Sequence, residues 1–198
     1  MDTLIKVPPL HCSAIKSQVE KHLCEFQRAA LVDTPSDIKR FYTVTIPNKM
    51  GMMTGSDDLS AYGTDVLGVT EAAKKTSFVS SALYSSSRHV DQRRCRATMA
   101  HEAGHCDHVA YVRFASMNGT GSLFRRTCDL KTFENPEWQA WEYARQFLMP
   151  EKVFRRCLAE NYTSADLVAR FDVNPRFVEN WKRILQQRDA RRYHKING

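Results

Sequence analysis

The most constraining feature of the sequence is a pair of histidines, His101 and His105, with Glu102 directly after the first. In an α-helix this spacing puts the two imidazoles about 40° apart and one turn from each other, so both can reach one metal ion. Glu102 then lies about 60° from His105, close enough to hold a metal-bound water without coordinating the metal. Apolar Met99 and Cys106 lie on the opposite side. The pattern therefore predicts a helix with one side in the core and the other in a cleft.

These three residues match the HExxH pattern of zinc peptidases. A catalytic zinc ion takes three protein ligands and leaves a fourth position for water, so the third ligand must come from elsewhere in the chain. The metzincin subclass would require a glycine at position 108 and a histidine at position 111, but the chain has His108 and Tyr111 there. That subclass is excluded. The candidates that remain are downstream carboxylates: Asp129, Glu134, Glu137 and Glu142.

Composition is typical of a globular protein. The 198 residues are 42% hydrophobic and 26% charged, and no apolar run approaches the roughly 18 residues of a membrane-spanning helix. The first residues lack the pattern of a signal peptide, and the six cysteines are scattered, which predicts a cytoplasmic protein with reduced thiols. The net charge is +7, and residues 151–198 carry 11 basic and 6 acidic side chains. Any binding of a polyanion is therefore expected at that end of the chain.

Most of the chain has the apolar periodicity of amphipathic helices. Capping residues and breakers mark the ends of these helices, as where Asn135-Pro136 supplies an N-cap and a first-turn proline. Helices are predicted at 13–30, 34–41, 91–112, 136–149, 151–160, 163–171 and 175–187. The final ten residues are predicted to form a frayed basic tail.

A smaller part of the chain favours β-structure. The stretches 43–47, 66–72 and 77–84 are β-prone and separated by turn residues, which predicts a small antiparallel sheet. The segment 48–63 has three methionines, three glycines and no clear period, so it is predicted to be a loop or an irregular edge. The fold class expected from these patterns is α+β, mostly helical.

Two longer strings carry a resemblance to a known family. CRATMAHEAGH (95–105) and EWQAWEYARQFLMP (137–150), in this order, resemble the ImmA/IrrE family of metallo-endopeptidases, over about residues 65–181. The resemblance implies a zincin-like peptidase domain in residues 1–150 and a helical region in 151–198. It also implies an intracellular enzyme that cleaves a helix-turn-helix repressor and so derepresses genes of mobile elements or stress responses. Ala103 and the position of His108 depart from the family pattern, which affects details of the pocket.

By this resemblance the zinc ligands are His101, His105 and Glu137. The residues around Glu137 agree, because Ala140 and Ala144 lie on the same helix face, and their small side chains allow close packing on the histidine helix. Glu137 could instead act only as a favourable acid in the first helical turn. Asp129 is the alternative ligand.

The expected chemistry is hydrolysis of a peptide bond with Zn²⁺ as cofactor. Glu102 is the expected general base, which takes a proton from the water and passes it to the leaving amine. His108 and Tyr143 are candidates for contacts with the substrate or the transition state, and Tyr111 and Arg94 are further candidates for the oxyanion donor.

The stretch 164–184 supports an alternative function. Two short predicted helices joined around Asp172 resemble the helix-turn-helix half of bacterial regulators, and this quarter of the chain carries the basic surplus. The protein would then be a DNA-binding or repressor-docking regulator whose zinc site is structural or vestigial. The simpler interpretation is a helical appendage with a solvated basic face.

Overall fold

A computed structural model describes residues 9–26, 35–107 and 132–197. The strands are β1 (Met53–Asp57), β2 (Gly68–Glu71) and β3 (Thr76–Ser80). The α-helices are α1 (Cys12–Phe26), α2 (Ile38–Arg40), α3 (Ile46–Met50), α4 (Ser81–Tyr84), α5 (His89–Asp107), α6 (Pro136–Leu148), α7 (Glu151–Ala159), α8 (Ser164–Phe171) and α9 (Pro175–Asn197). The predicted, mostly helical α+β class is confirmed. In the described ranges no helix combines the length and apolarity needed to cross a bilayer.

The three strands form one mixed sheet in the order β1-β3-β2. β2 and β3 pair antiparallel, with Gly68 opposite Val79, whereas β1 and β3 pair parallel, with Met53 opposite Thr76. The prediction of a purely antiparallel sheet is therefore wrong for one of the two pairs. β1 lies in the segment predicted to be irregular, and β2 separates it from β3 along the chain, so β1 and β3 are not joined as a hairpin.

The stretch 43–47, predicted to be a strand, is helical. α2 continues through a π-helical turn, Phe41–Thr45, into α3. Ile38, Phe41 and Ile46 are fully buried, while Val44 is 47% exposed. Burial at helical spacing outweighs the β-propensity of the local residues, because that propensity is weak against tertiary packing.

One hydrophobic core runs through the described residues from α1 to α9. It contains Leu23 of α1, Phe147 of α6 and Trp181 of α9, all nearly or fully buried. The indole N–H of Trp181 donates to the carbonyl oxygen of Met149 at 3.1 Å, which fixes α9 against the end of α6. Residues on both sides of the predicted boundary at 150 share this core, and the division into two regions stays a prediction.

The predicted frayed tail is instead part of α9, which continues to Asn197. The guanidinium of Arg155 binds the carboxylate of Asp189 through two hydrogen bonds, at 2.9 and 3.0 Å. The preceding residue, Arg188, binds the buried carboxylate of Glu142 at 2.8 Å. These non-local ion pairs hold the polar end of α9 to α6 and α7, and local sequence gave no sign of them.

Two glycines determine how closely other elements approach α5. A Cβ at Gly104 would lie 2.9 Å from the Cα of Ala140, so the backbones of α5 and α6 are in direct contact there. A Cβ at Gly68 would lie 2.5 Å from a carboxylate oxygen of Glu102, so the backbone of β2 lies against that side chain. α5 is therefore held between α6 and the sheet.

Candidate metal centre

His101 and His105 project from one face of α5, as their spacing predicts. Both residues are only 7% exposed, and their ring centroids are 4.7 Å apart in an edge-to-face arrangement. Their Nε2 atoms are 3.1 Å apart, so both point toward the same place. Met99 and Cys106, on the other side of the helix, are buried in the core as predicted.

Glu137 of α6 completes a cluster of three donor groups. One carboxylate oxygen lies 3.2 Å from Nε2 of His101, and the other lies 3.2 Å from Nε2 of His105. The three donor atoms lie within 4.8 Å of one another. Two imidazoles and one carboxylate converging in this way fit a divalent metal ion with a position left for water.

Local structure at the start of α6 directs Glu137 toward the histidines. The side chain of Asn135 accepts hydrogen bonds from the backbone N–H groups of Glu137 and Trp138, at 2.9 and 3.3 Å. Pro136 occupies the first turn, where the missing N–H is not needed. Both capping features were visible in the sequence, and they fix Glu137 one residue after the proline, in the first helical turn.

The electrostatics of the cluster are those of a site that attracts cations. Hydrogen bonds from His101 and His105 hold the pKa of Glu137 far below its ordinary value, although burial opposes this. Burial by itself would lower the pKa of His105, but its hydrogen bond with Glu137 and the charges of Glu102 and Glu137 raise it above the ordinary value. The carboxylates thus favour positive charge on the imidazole of His105, which a bound metal ion would supply in place of a proton.

Glu102 is 5% exposed and is held by the sheet rather than by α6. Its Oε2 accepts a hydrogen bond from the hydroxyl of Thr70 on β2, at 2.6 Å. Gly68, two residues earlier, leaves room for the other carboxylate oxygen. Glu102 is not a member of the three-residue donor cluster. Its place beside the ligands, with a fixed carboxylate, suits a proton acceptor.

The bond from Thr70 is the last in a series of hydrogen bonds between hydroxyl groups that begins in the core. Tyr42 Oη lies 2.7 Å from Ser77 Oγ, which lies 2.8 Å from Thr70 Oγ1. An ionised Glu102 only accepts, so Thr70 donates to it and accepts from Ser77, which in turn accepts from Tyr42. Burial raises the pKa of Tyr42 far above its ordinary value, which keeps this first donor protonated. We call Tyr42, Ser77 and Thr70 the hydroxyl chain.

Trp141 is a second feature that the sequence did not reveal as part of the site. Its ring centroid lies 4.3 Å from that of His101, and the residue is 39% exposed. The indole therefore covers one side of the His101 ring and remains accessible. The sequence placed Trp141 one turn after Glu137, which was the only available sign of this contact.

The other residues that the sequence analysis proposed for the site lie outside the donor cluster or outside the described residues. Tyr143 is fully buried in the core, stacked on Phe147, and gives a substrate no surface to contact. Glu142 is also fully buried, bound by Arg145 and Arg188, and is not in the donor cluster. Glu134 lies in a short 3₁₀ turn before α6, outside that cluster as well. Outside the described residues lie His108, Tyr111 and Asp129.

The region proposed to resemble a helix-turn-helix comprises α8, a short turn and the start of α9. Asp172 in the turn adopts a left-handed backbone conformation, with φ of 48°. Arg93 and Arg96 of α5 bind its carboxylate, at 2.9 and 3.4 Å. Phe177 of α9 packs edge-on toward Trp141, with ring centroids 6.0 Å apart. The first half of α9 thus faces the metal centre.

Metallopeptidases cut peptide bonds with a metal-activated water beside a general base, and the groups assembled here are those that such chemistry requires. The cluster of donor groups on this fold is therefore of the kind found in metallopeptidases. The family model for the IrrE N-terminal-like domain, Peptidase_M78, matches residues 69–180, more than half of the chain, and the chain belongs to this family. The resemblance seen in the sequence is thereby confirmed. No curated protein and no solved structure matches the chain.

Proposed function

We propose that the protein is a zinc-dependent endopeptidase in which His101, His105 and Glu137 bind the metal and Glu102 is the general base. The observation that carries the proposal is the convergence of three donor atoms within 4.8 Å, on two helices whose backbones are in contact. Two histidines and one carboxylate are a ligand set found in zinc peptidases. A family whose members are peptidases supports the same assignment.

Each group of the site has a separate role in the proposed hydrolysis. A zinc ion bound to this ligand set would supply a Lewis acid and lower the pKa of a bound water toward about 7. Glu102 accepts the proton of the attacking water and passes it to the leaving amine nitrogen. Thr70 donates to Oε2 of Glu102, so we assign this proton transfer to Oε1. Trp141 shields one side of His101 from water.

For the substrate we propose a helix-turn-helix transcriptional repressor, whose cleavage derepresses its target genes. The support for this step is the resemblance to ImmA/IrrE peptidases carried by residues 95–105 and 137–150, together with membership of the IrrE-like family. The protein would act in the cytoplasm, where such repressors are found.

The test is cleavage of repressor proteins encoded beside the gene, followed by mass spectrometry of the fragments. Glu102→Gln removes the proton acceptor and keeps the metal ligands, so it should retain zinc and lose cleavage. The matched control is Glu20→Gln, which makes the same change at an exposed position of α1 and should cleave normally. Undiminished cleavage by Glu102→Gln would refute the assignment of the general base.

A further inference from the structure

A groove lies beside the metal centre, between α5, α6 and the first half of α9. Its volume is about 550 Å³. Aromatic and cationic side chains line it, and we call it the arginine groove: Trp138, Trp141, Phe177, Arg94, Arg176 and Arg183. Trp141 joins the groove to the metal centre, because its indole contacts both the imidazole of His101 and the ring of Phe177. A peptide bound in the groove would therefore continue directly to the metal ligands.

The arginine groove has an excess of positive charge. Arg94, Arg176 and Arg183 are exposed, and within the described ranges they form no ion pair and no carboxylate lines the groove. Neighbouring arginines differ in this respect, since Arg93 and Arg96 both bind Asp172. The groove thus presents cations that the described fold leaves unneutralised.

The part of the chain outside the described ranges contains little that could neutralise these cations. Residues 108–131 contain four Lys or Arg residues and a single acid, Asp129. The other two internal or N-terminal stretches, 1–8 and 27–34, contain one acid each, Asp2 and Asp33, and each also contains one basic residue. None of these stretches carries a net negative charge, so an acidic segment of another molecule would complement the arginine groove better than any of them.

The lining also defines the chemistry of that molecule. Guanidinium groups pair with carboxylates through two parallel hydrogen bonds, and aromatic walls favour apolar side chains. A single peptide chain that carries both acidic and apolar side chains fits these requirements. Duplex DNA fits them poorly, because proteins read its grooves with protruding helices or strands, whereas these arginines surround a concavity.

We propose that the arginine groove binds an acidic segment of the protein substrate, next to the peptide bond that is cut. This proposal rests on the proposed function, since it assigns to that enzyme a preference for acidic residues on one side of the cleavage site. The guanidinium groups select the acidic side chains, while Trp141 places the bound chain beside His101.

Binding is tested without cleavage, on zinc-loaded Glu102→Gln protein. The probe is a fluorescein-labelled decapeptide that contains four glutamates and two leucines, and the comparison peptide carries glutamines in place of the glutamates. Fluorescence anisotropy should give a Kd about 10-fold lower for the glutamate peptide, a difference that shrinks as salt is raised. Equal affinities for the two peptides would overturn the proposal.

Substitution then locates the site. Changing Arg94, Arg176 and Arg183 together to Gln should weaken the glutamate peptide about 10-fold and leave the glutamine peptide unaffected. Lys152→Gln, at an exposed position of α7 outside the groove, is the control and should bind like the parent. A duplex DNA oligonucleotide that bound more tightly than the glutamate peptide, and lost binding in the triple variant, would overturn the proposal in favour of a nucleic-acid site.

Cleavage by the protein with Glu102 intact separates the two proposals. If a repressor is cleaved with the same kcat/KM by the triple arginine variant, the groove proposal fails and the peptidase assignment stands. If the glutamate peptide binds as expected but zinc-loaded protein cleaves no repressor, the proposed function fails, and the groove is an acidic-peptide site that serves no such cleavage.

Discussion

The contact between α5 and α6 makes Gly104→Ala a decisive substitution. The added Cβ would lie 2.9 Å from the Cα of Ala140, 3.1 Å from its carbonyl oxygen and 3.0 Å from the Cβ of Tyr143. Carbon atoms pack favourably at about 3.5–4.0 Å, so the helices would have to separate by roughly 0.5–1 Å. The opposing atoms are mostly backbone, and no rotamer change can relieve the clash.

Two effects of opposite sign set the loss of stability. Overpacking a buried contact costs about 1–3 kcal/mol, whereas replacing a helical glycine by alanine gains about 1 kcal/mol. The free energy of unfolding of the metal-free protein should therefore fall by about 0–2 kcal/mol. Metal binding should suffer as well, because the histidines lie on α5 and Glu137 lies on α6. Metal–ligand distances tolerate only about 0.2 Å, so we expect zinc affinity to fall about 10- to 100-fold.

Urea unfolding of the metal-free protein measures the first effect, and zinc titration against a chromophoric chelator measures the second. Gly55→Ala is the matched control, because the nearest atoms to its added Cβ belong to Phe78, at an ordinary contact distance of 3.8 Å. It should leave zinc affinity unchanged. A Gly104→Ala protein that lost stability but bound zinc like the parent would refute the reasoning that helix contact sets the ligand geometry.

Three further predictions follow from the site. Thr70→Val removes the hydrogen-bond donor to Glu102 and should lower kcat about 10-fold, with KM and zinc affinity unchanged. Thr70→Ser keeps the hydroxyl and should have the kcat of the parent. A loss of zinc affinity in Thr70→Val would contradict a positioning role. Removing the metal with a chelator should abolish cleavage and lower the melting temperature, and added zinc should restore both, as followed by circular dichroism. Because Glu137 raises the pKa of His105 in the metal-free protein, protons compete with zinc at low pH. Zinc affinity should therefore fall as pH decreases, and in Glu137→Gln the fall should begin at a lower pH. Zinc titrations at a series of pH values measure this difference.

Helices were predicted well wherever periodicity and capping agreed. The helix of His101 and His105 begins at His89, two residues before the predicted start, and α6 begins at the predicted Pro136. In both segments the local signals and the burial pattern favour the same structure. Residues 43–47 were predicted wrongly because β-branched side chains favour a strand locally, whereas the burial of Phe41 and Ile46 requires a helix.

In the candidate site, too, the local features could be predicted from the sequence and the long-range contacts could not. The spacing of His101, Glu102 and His105 is a property of one helix. Glu137 was selected from four downstream carboxylates by the family resemblance, with which the small residues on its helix face agreed. The hydroxyl chain could not be predicted, because Tyr42 is 35 residues from Ser77 and Thr70 is 32 residues from Glu102 in sequence. Nothing in the local pattern of a serine or threonine on a strand indicates which carboxylate it will meet.

The two glycines explain how the proposed general base and the proposed metal ligands can be positioned separately. Gly104 lets α6 approach one side of α5 and so brings Glu137 to the histidines, while Gly68 lets β2 approach Glu102. The ligand geometry therefore depends on helix packing, and the orientation of the base depends on the sheet through Thr70. A change at Gly104 should then reduce metal affinity, and a change at Thr70 should reduce turnover with the metal retained. The contact of Gly104 is with α6 and that of Thr70 is made from β2. In the Gly104→Ala/Thr70→Val double variant, the effects of the two changes on the free energies of metal binding and of activation should therefore be close to additive.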